Sequence, residues 1–451
     1  MSVSALRPTG SPLPERIAQA RSPSVVLKRQ SLRLRPDPAR VVLRPFRPAT
    51  EPRELSRTDG QRANHIVARV LALDPQTASQ QLAEVLNGFQ GRHRTLLASL
   101  EARVNAMDDV FTLHAPFSRT QRQLIGAYFL HEYSFEAAAL FNPSIVVHPD
   151  QSNVAVGAVR FILSVRAVGE GHLSSLTFRT GLITADGSVT LDRTARESSI
   201  PRVLPHKPGS PADCIDVAFD NDLDISERVI FPITESQSNG IEDARFVEME
   251  EGGARVFYAT YTAYSGRAIR SELIQTTDFC SFRMMPLRGP AARNKGMALF
   301  PRKFDGRYAM IGRQDNESLY LIYSEDLYYW GEGTVLLKPE FPWEFVQIGN
   351  CGSPIELDEG WLLLTHGVGP IRKYSIGAAL LDKADPSKVL GRCAEPLLGP
   401  EAAEREGYVP NVVYTCGGLR HGDRVILPYA ISDTYCDFAT IEIAALLKKM
   451  I

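Results

Sequence analysis

The chain has 451 residues, enough for about three domains of typical size or for one large repeat domain with an extension. Charged residues make up 23% of the sequence and hydrophobic residues 44%, a balance that excludes a disordered or fibrous chain. The formal net charge of −2 argues against bulk binding of nucleic acid or of anionic membranes as the main activity.

The first 60 residues form a basic, proline-rich segment. They contain twelve Lys and Arg residues, five Asp and Glu residues and nine prolines. A segment of this composition buries too little apolar surface to fold alone, so we expect an extended arm over residues 1–60 that lies on the body of the protein or contacts another subunit.

A helical region follows over residues 61–140. Apolar residues recur there at helical spacing in Ile66–Leu71, Leu82–Leu86 and Leu96–Val104. Asp74 before Pro75 is typical of a helix N-cap, and Ser118 with Gln121 predicts a capping box. We expect about four helices.

From Asn142 onward the pattern is that of short antiparallel strands separated by Gly, Asp and Asn turns. An amphipathic helix is expected only near the end, in Ala439–Met450. The clearest predicted strands are Val159–Val165, Val256–Thr262, Tyr308–Gly312, Leu319–Tyr323, Trp361–Thr365 and Val425–Tyr429.

A weak repeat links these strands, because a Gly-containing turn precedes several of them. Equivalent strand positions fall near residues 161, 258, 308, 361 and 425, with spacings of about 50 after the first. This spacing suits blades of four short strands. The predicted fold is therefore all-β, a five-bladed β-propeller over residues 141–451 with an N-terminal helical extension; a β-sandwich, the alternative, explains the repeated turn less well.

The six cysteines are widely spaced and include no C-x-x-C pair, so the sequence indicates neither a disulfide framework nor a zinc site. His and Cys residues show no metal-ligand spacing, and we expect no metal. No apolar run reaches the roughly 20 residues of a membrane helix, and prolines and charges interrupt any N-terminal secretory signal. We expect a cytoplasmic protein without membrane contact.

Polar clusters interrupt the apolar strands and mark candidate sites. The turn Asn239–Arg245 carries two carboxylates and a guanidinium, a set that in isolation is most often a structural clasp. Guanidinium and ammonium groups complement phosphate oxygens, so several cations at one channel mouth would bind an anion; the candidates are Arg267, Arg270, Arg293, Lys295 and Arg313. Rings and polar groups that suit a sugar are Trp361, His366, Tyr408, Asn411 and Asp433.

These stretches together resemble glycoside hydrolase family 130, the β-mannoside phosphorylases and related β-mannosidases, over about residues 140–435. The stretches that carry the resemblance, in chain order, are Asn142–Ile145, Gly240–Arg245, Tyr261–Tyr264, Lys295 ahead of Leu299–Pro301, Gly360–Leu363 running to His366–Val368, and Asn411–Val413. The arm and the helical region lie outside the resemblance.

The resemblance implies a five-bladed propeller and an inverting attack at the anomeric carbon of a terminal β-linked mannose. It makes Asp243 the general acid, which acts through a hydroxyl of the bound mannose. It makes Arg245 an orienting and sugar-binding residue. The other sugar-binding residues that it implies are Asn142, Tyr264, His366, Asn411 and Asp433.

Arg270, Lys295 and Arg313 match the family's phosphate-binding positions, which favours phosphorolysis. Inorganic phosphate brings its own negative charge as nucleophile, so no protein base and no cofactor are needed. The chain departs from the common phosphorylase pattern beside Arg313, where Gly312 replaces a histidine and acidic residues follow. A β-mannosidase that uses Glu317 as the base for water therefore stays as the alternative.

A non-catalytic carbohydrate-binding or protein-interaction propeller is a further alternative. As partners we expect a β-mannoside oligosaccharide and phosphate, and no nucleic acid. The N-terminal extension also offers a surface through which a second copy of the chain would bind.

Overall fold

The computed structural model describes residues 26–48, 62–107 and 117–451. The predicted arm therefore lies partly outside the described residues, in 1–25 and 49–60. Its described part forms two strands, β1 (Leu27–Leu34) and β2 (Val41–Pro45). No helix of the described ranges is long and apolar enough to cross a membrane.

Four helices occupy the predicted helical region. They are α1 (Arg62–Leu71), α2 (Pro75–Phe89), α3 (Leu96–Asn105) and α4 (Arg119–Tyr128). The Asp74 side chain accepts hydrogen bonds from two backbone amides at the start of α2, and Ser118 and Gln121 form a capping box on α4, so both predicted caps are confirmed. Strand β3 (Leu130–Ser134) leaves this region and pairs with β2.

The next strands form one continuous sheet of eleven strands, which we divide into two antiparallel parts, sheet I and sheet II. Sheet I contains β4 (Ala139–Val147), β5 (Val159–Val168), β6 (Ser174–Ile183) and β7 (Val189–Leu191). Next along the chain come β8 (Arg202–Val203), β9 (Ile215–Ala218) and β10 (Val229–Ile230), of which β10 returns to sheet I. Sheet II contains β11 (Gly240–Glu251), β12 (Ala254–Tyr264), β13 (Ile269–Thr276) and β14 (Ser281–Pro286), with β9 and β8 beyond β14. The backbone pairing that joins the two sheets is a parallel bridge between Gly240 and Ser174.

Three further sheets complete the body. Sheet III contains β15 (Ala298–Leu299), β16 (Tyr308–Gly312), β17 (Leu319–Ser324) and β18 (Thr334–Leu337). Sheet IV contains β19 (Gln347–Asn350), β20 (Ile355–Glu356), β21 (Trp361–Val368), β22 (Tyr374–Leu381) and β23 (Val389–Arg392). Sheet V contains β24 (Val413–Tyr414), β25 (Leu419–His421), β26 (Arg424–Ile431) and β27 (Tyr435–Glu442), with β1 paired to β27 at its edge.

All six strands predicted most clearly from the sequence are confirmed within β5, β12, β16, β17, β21 and β26. The predicted helix over 439–450 is wrong in its first turn, because β27 continues to Glu442 and helix α5 covers only Ile443–Leu447. The strand forms there because β27 pairs with β26 along one edge and with β1 along the other, which satisfies its backbone hydrogen bonds on both edges.

The hydrophobic core consists of layers between consecutive sheets. Phe178 of sheet I packs with Phe246 of sheet II, and equivalent buried clusters join sheets II and III, III and IV, and IV and V. A further cluster joins Leu163 of sheet I to Ile426 and Phe438 of sheet V. Each sheet is therefore packed between two others.

Buried and part-buried ion pairs fasten the described part of the arm to the body. Glu136 is fully buried and binds the guanidinium groups of Arg40 and Arg179. On β1, Arg33 makes a bidentate pair with Asp437 of β27, with N···O distances of 2.8 and 2.7 Å. Bidentate geometry makes this pair stronger than most surface ion pairs.

We expect Arg33→Met to lower the free energy of unfolding by about 1 kcal/mol, because Asp437 loses its partner. The loss is limited to this size because the Arg33 side chain is partly exposed in the wild type. Urea denaturation measures the change. Arg35→Met is the matched control, since Arg35 stacks on the same Tyr435 ring without a carboxylate in the described structure. Equal losses in both variants would contradict the assignment of the effect to the ion pair.

Candidate active site

Two bulged strands aim polar side chains at a common point. The register of β4 against β5 shifts between Phe141 and Ser144, and Asn142 in this bulge has φ 52°. The register of β11 against β12 shifts between Glu242 and Arg245, and Asp243 has φ 54°. Asn and Asp tolerate this left-handed backbone better than other side chains, and bulges redirect a residue out of the strand pattern.

The two redirected side chains meet. The Asn142 amide nitrogen donates a hydrogen bond of 2.6 Å to Oδ1 of Asp243. Sequence reasoning assigned both residues to the site, and they lie together although they are separated by 101 positions.

Arg166 of β5 binds both carboxylates of the Glu242–Asp243 pair. Its Nη2 lies 2.7 Å from Oε1 of Glu242, and its Nη1 lies 3.3 Å from Oδ1 of Asp243. Burial by itself raises the pKa of Asp243, but the charges of Arg166, Arg245 and Lys295 outweigh burial and hold that pKa below its ordinary value. Asp243 is therefore ionised at neutral pH before substrates bind.

Arg245 forms the floor beside this carboxylate. Its Nη1 donates to the backbone oxygen of Asp243 at 3.1 Å, and its Nη2 donates to the hydroxyl of Tyr414 at 2.7 Å. Both hydrogen bonds fix the plane of the guanidinium, so Arg245 presents a rigid positive face to the space above.

A small cavity lies over these groups, and sheets II to V all contribute to it. Asp243 and Arg245 line it together with Lys295, Arg313, Asn350, His366 and Tyr414. Lys295 is half-exposed, and its Nζ lies 3.9 Å from Oε2 of Glu242. The cavity thus has a carboxylate and a set of cations in its wall.

Arg313 is the cation with the fewest partners. Its side chain is 9% exposed, its Nε has no hydrogen-bond partner, and no carboxylate of the described ranges forms an ion pair with it. A buried guanidinium without a counter-charge is costly. An anion bound in the cavity would supply the missing charge.

Other polar atoms around the cavity also lack partners. They are Oδ1 of Asn142, Oδ1 of Asn350, Nε of Arg166 and Nε of Arg245. Buried polar atoms in folded proteins are normally satisfied, so a group of five unsatisfied ones, counting Nε of Arg313, indicates a ligand with several hydrogen-bonding groups.

His366 of β21 lines this cavity with an uncharged imidazole. Burial, followed by the nearby charges of Arg313 and Arg245, lowers its pKa to about 3. Its Nδ1 lies 3.1 Å from the backbone oxygen of Asn350, which can only accept, so Nδ1 carries the proton and Nε2 is left as an acceptor. Neutral His366 can accept a hydrogen bond from a hydroxyl, but it adds no positive charge.

Asp433 lies near the same cluster, in the turn between β26 and β27, with φ 47°. Burial raises its pKa to about 7, an effect that the negative charges of Asp243 and Glu242 increase and the Arg166 charge opposes. The environments of Asp243 and Asp433 therefore push the two pKa values in opposite directions, as is typical of catalytic sites.

We expect Asp433→Asn to stabilise the fold at high pH. A carboxyl whose pKa is raised by folding binds its proton more tightly in the folded state, so its ionisation costs stability as pH rises from about 4 to about 7. The variant should exceed the wild type by about 2 kcal/mol in free energy of unfolding at pH 8 and match it near pH 4. Urea denaturation at both pH values measures this, with Asp358→Asn as the exposed control; a pH-independent difference would contradict the assignment.

The remaining predicted site residues lie away from the cavity wall. Arg270 is bound by Glu272 and by Ser236, and it lines a separate depression with Arg293. The Tyr264 hydroxyl donates to the Gly266 backbone oxygen. Asn411 accepts a hydrogen bond of 2.9 Å from Arg405. Glu317 is exposed in the turn after β16, where its backbone oxygen accepts from Ile348.

Sequence reasoning missed three residues of the site, which are Arg166, Asn350 and Tyr414. Arg166 had a signal, because it is the single charged residue in the mostly apolar run Phe161–Val168. Asn350 and Tyr414 had none, since their positions depend on how sheets IV and V meet sheet II. Within the described ranges, no three His, Cys, Asp or Glu side chains converge as a metal site.

The chain is similar to proteins that act on mannosides. The model of glycoside hydrolase family 130, described as beta-1,4-mannooligosaccharide phosphorylase, matches residues 221–450. The 1,2-beta-oligomannan phosphorylase of Thermoanaerobacter sp. (strain X514) is 33% identical over 226 residues, which cover 49% of this chain and 75% of that protein. The beta-1,4-mannooligosaccharide phosphorylase of Ruminococcus albus is 38% identical over 160 residues, which cover 32% of this chain and 47% of that protein.

Among solved structures, the complex of beta-1,2-mannobiose phosphorylase from Listeria innocua with beta-1,2-mannobiose superposes with a TM-score of 0.50. The match covers 70% of this chain and 92% of that one at 23% identity. At this identity the superposition supports a shared fold.

Proposed function

The chain belongs to glycoside hydrolase family 130, and from this membership we propose that it is an inverting β-mannoside phosphorylase. It converts a β-mannosyl sugar and inorganic phosphate into α-mannose 1-phosphate and a shortened sugar, reversibly. The relatives are named for β-1,2 and for β-1,4 linkages, so the proposal concerns β-mannosides as a class.

One observation carries the proposal: the carboxylate of Asp243 and the unpaired guanidinium of Arg313 line the same cavity. An inverting displacement needs an acid at one face of the anomeric carbon and a nucleophile at the other. Phosphate held by Arg313 and Lys295 would be that nucleophile, and it needs no protein base.

In the proposed reaction a phosphate oxygen forms a bond to the anomeric carbon while the bond from that carbon to the leaving oxygen breaks. A lone pair of the phosphate oxygen forms the new C–O bond, and the electron pair of the broken bond stays on the leaving oxygen. That oxygen takes the proton of a mannose hydroxyl, which Asp243 replaces with its own, so the leaving sugar ends as an alcohol and Asp243 as a carboxylate. Asn142 and Arg166 hold the Asp243 carboxylate during this transfer.

The ionised state of Asp243 bears on this mechanism. A general acid must be protonated when the leaving oxygen departs, and the surrounding cations disfavour that state in the free protein. A bound phosphate dianion offsets the charges of Lys295 and Arg313 and so raises the pKa of Asp243. In this proposal, protonation of Asp243 and binding of phosphate are coupled.

We also propose that residues 141–451 form a five-bladed β-propeller in which sheets I to V are the blades and residues 61–140 are a helical extension. Support comes from the buried cluster that joins sheet V to sheet I and from the polar side chains that sheets II to V contribute to one cavity. The six free cysteines are all buried thiols, which is consistent with the reducing cytoplasm that we propose as the location.

The test is an incubation with β-1,2- and β-1,4-mannobiose, each with and without inorganic phosphate. We expect α-mannose 1-phosphate, detected by phosphorus and proton NMR, in the presence of phosphate and little free mannose in its absence. Equal release of mannose without phosphate would identify a β-mannosidase instead. If neither product forms with either disaccharide, the catalytic proposal fails and a non-catalytic binding role takes its place.

A further inference from the structure

Strand β3, which ends the N-terminal region and precedes the family match, contacts the loop that follows β5, the strand of Arg166. Tyr133 on this strand is buried, and its hydroxyl donates a hydrogen bond of 2.8 Å to the backbone oxygen of Glu170. The same hydroxyl lies 3.4 Å from the backbone oxygen of Leu173. Tyr133 therefore binds both ends of the loop 169–173 that joins β5 to β6.

The loop fits closely against β3. A Cβ atom on Gly169 would lie 2.3 Å from the Ser134 backbone oxygen and 2.6 Å from the Tyr133 hydroxyl, so only glycine allows this approach. Gly171 and His172 follow with φ values of 67° and 60°. His172 lies in this left-handed turn, and the hydrogen bond from the Tyr133 hydroxyl to the Glu170 backbone oxygen holds the turn in place.

His172 in turn contacts the ring of Tyr408. Its Nδ1 lies within hydrogen-bond distance of the Tyr408 hydroxyl, and the two rings are 5.7 Å apart. Tyr408 also contacts the ring of Phe141, at 6.2 Å, and the Arg166 guanidinium lies 4.9 Å from that ring. Tyr408 thus lies near Arg166, which binds Asp243, and the tyrosine is 38% exposed.

Tyr408 and the cations come from different parts of the fold. Lys295 and Arg313 come from the connection between sheets II and III and from sheet III, whereas Tyr408 precedes sheet V and meets a loop of sheet I. Because inversion puts nucleophile and leaving group on opposite faces of the sugar, the side away from the cations receives the leaving sugar. A partly exposed tyrosine ring beside polar groups suits the C–H face of a pyranose.

We propose that Tyr133 is a positioning residue for the leaving-group sugar: through the loop 169–173 and His172 it sets the orientation of Tyr408, whose ring stacks on that pyranose. This inference rests on the proposed phosphorolysis. It assigns acceptor specificity partly to the N-terminal region, through a strand that pairs with the arm rather than with any of the five sheets.

The experiment measures the reaction in the synthetic direction, from α-mannose 1-phosphate with D-mannose or D-glucose as acceptor. Tyr133→Phe removes the hydroxyl and keeps the ring. We expect the KM for the acceptor to rise about fivefold, the effect of one hydrogen bond, while the KM for mannose 1-phosphate stays within twofold. The matched control is Tyr308→Phe, which removes another buried tyrosine hydroxyl, bound to Glu251, outside this path.

Two further variants test the path itself. His172→Ala should raise the acceptor KM as Tyr133→Phe does, and His172→Asn, which tolerates positive φ and keeps a polar group, should restore it in part. Tyr408→Ala should change the ratio of D-mannose to D-glucose use at least fivefold. The proposal is overturned if these variants lower kcat or raise both KM values equally, or if they leave acceptor use unchanged. A wild-type protein without mannosyl transfer to any acceptor would instead refute the proposed function.

Discussion

Replacing Asp243 by asparagine is expected to lower kcat for phosphorolysis about a thousandfold, because the reaction loses its only proposed proton donor to the leaving oxygen. The amide can still accept the hydrogen bond from Asn142, so the bulge of β11 keeps its partner. Steady-state assay of mannose 1-phosphate formation from mannobiose measures the change, and thermal unfolding verifies that the fold is retained.

Glu242→Gln is the matched control for this prediction. Glu242 is the adjacent carboxylate, binds the same Arg166 and forms an ion pair with Lys295. Its loss perturbs the same charges without removing the proposed acid, so we expect a decrease of about tenfold. Equal losses in the two variants would show that charge balance, and not proton transfer by Asp243, limits the rate.

Replacing Arg313 by glutamine is expected to raise the KM for phosphate roughly a hundredfold. The phosphate dianion then loses a buried, charge-assisted hydrogen-bond donor, and such bonds are worth about 2 to 3 kcal/mol. The KM for mannobiose should change much less, because the sugar-binding groups around Asn142 remain in place. Initial rates over a matrix of phosphate and mannobiose concentrations separate the two constants.

Arg270→Gln provides the contrast to Arg313→Gln. The resemblance to the family implies phosphate binding by Arg270, but in the structure its guanidinium is bound by Glu272 and Ser236 and lines a different depression. From this geometry we expect less than a threefold change in the KM for phosphate. A loss as large as that of Arg313→Gln would mean that Arg270 leaves Glu272 and turns into the cavity when phosphate binds.

Local patterns in the sequence carried much of the fold and part of the site. Strand alternation located β5, β12, β16, β17, β21 and β26, and capping residues located the starts of α2 and α4. The resemblance drew attention to Asp243, Arg245, Lys295, Arg313 and His366, all of which line one cavity. These positions lie on or just beside strands, where backbone geometry largely decides the direction of a side chain.

What the sequence could not predict depends on contacts between distant segments. Arg166 appears as an ordinary charge in a strand until Asp243 and Glu242 are placed beside it. Arg270 and Glu272 lie two residues apart on β13 and so share one face, which allows them to pair with each other. Strand β1 lies in a basic, proline-rich segment, and only its pairing with β27, more than 400 positions later, makes it a strand.

The pairing of β1 with β27 has a kinetic consequence. Leu27 is opposite Ile441, so this contact closes a loop of more than 400 residues and cannot form until β27 has been synthesised. From then until β1 docks, β27 presents an unpaired edge that other chains can join, and the protein is open to intermolecular association at this edge. Conditions that slow the docking of residues 27–34 should therefore reduce the yield of native protein more than its equilibrium stability.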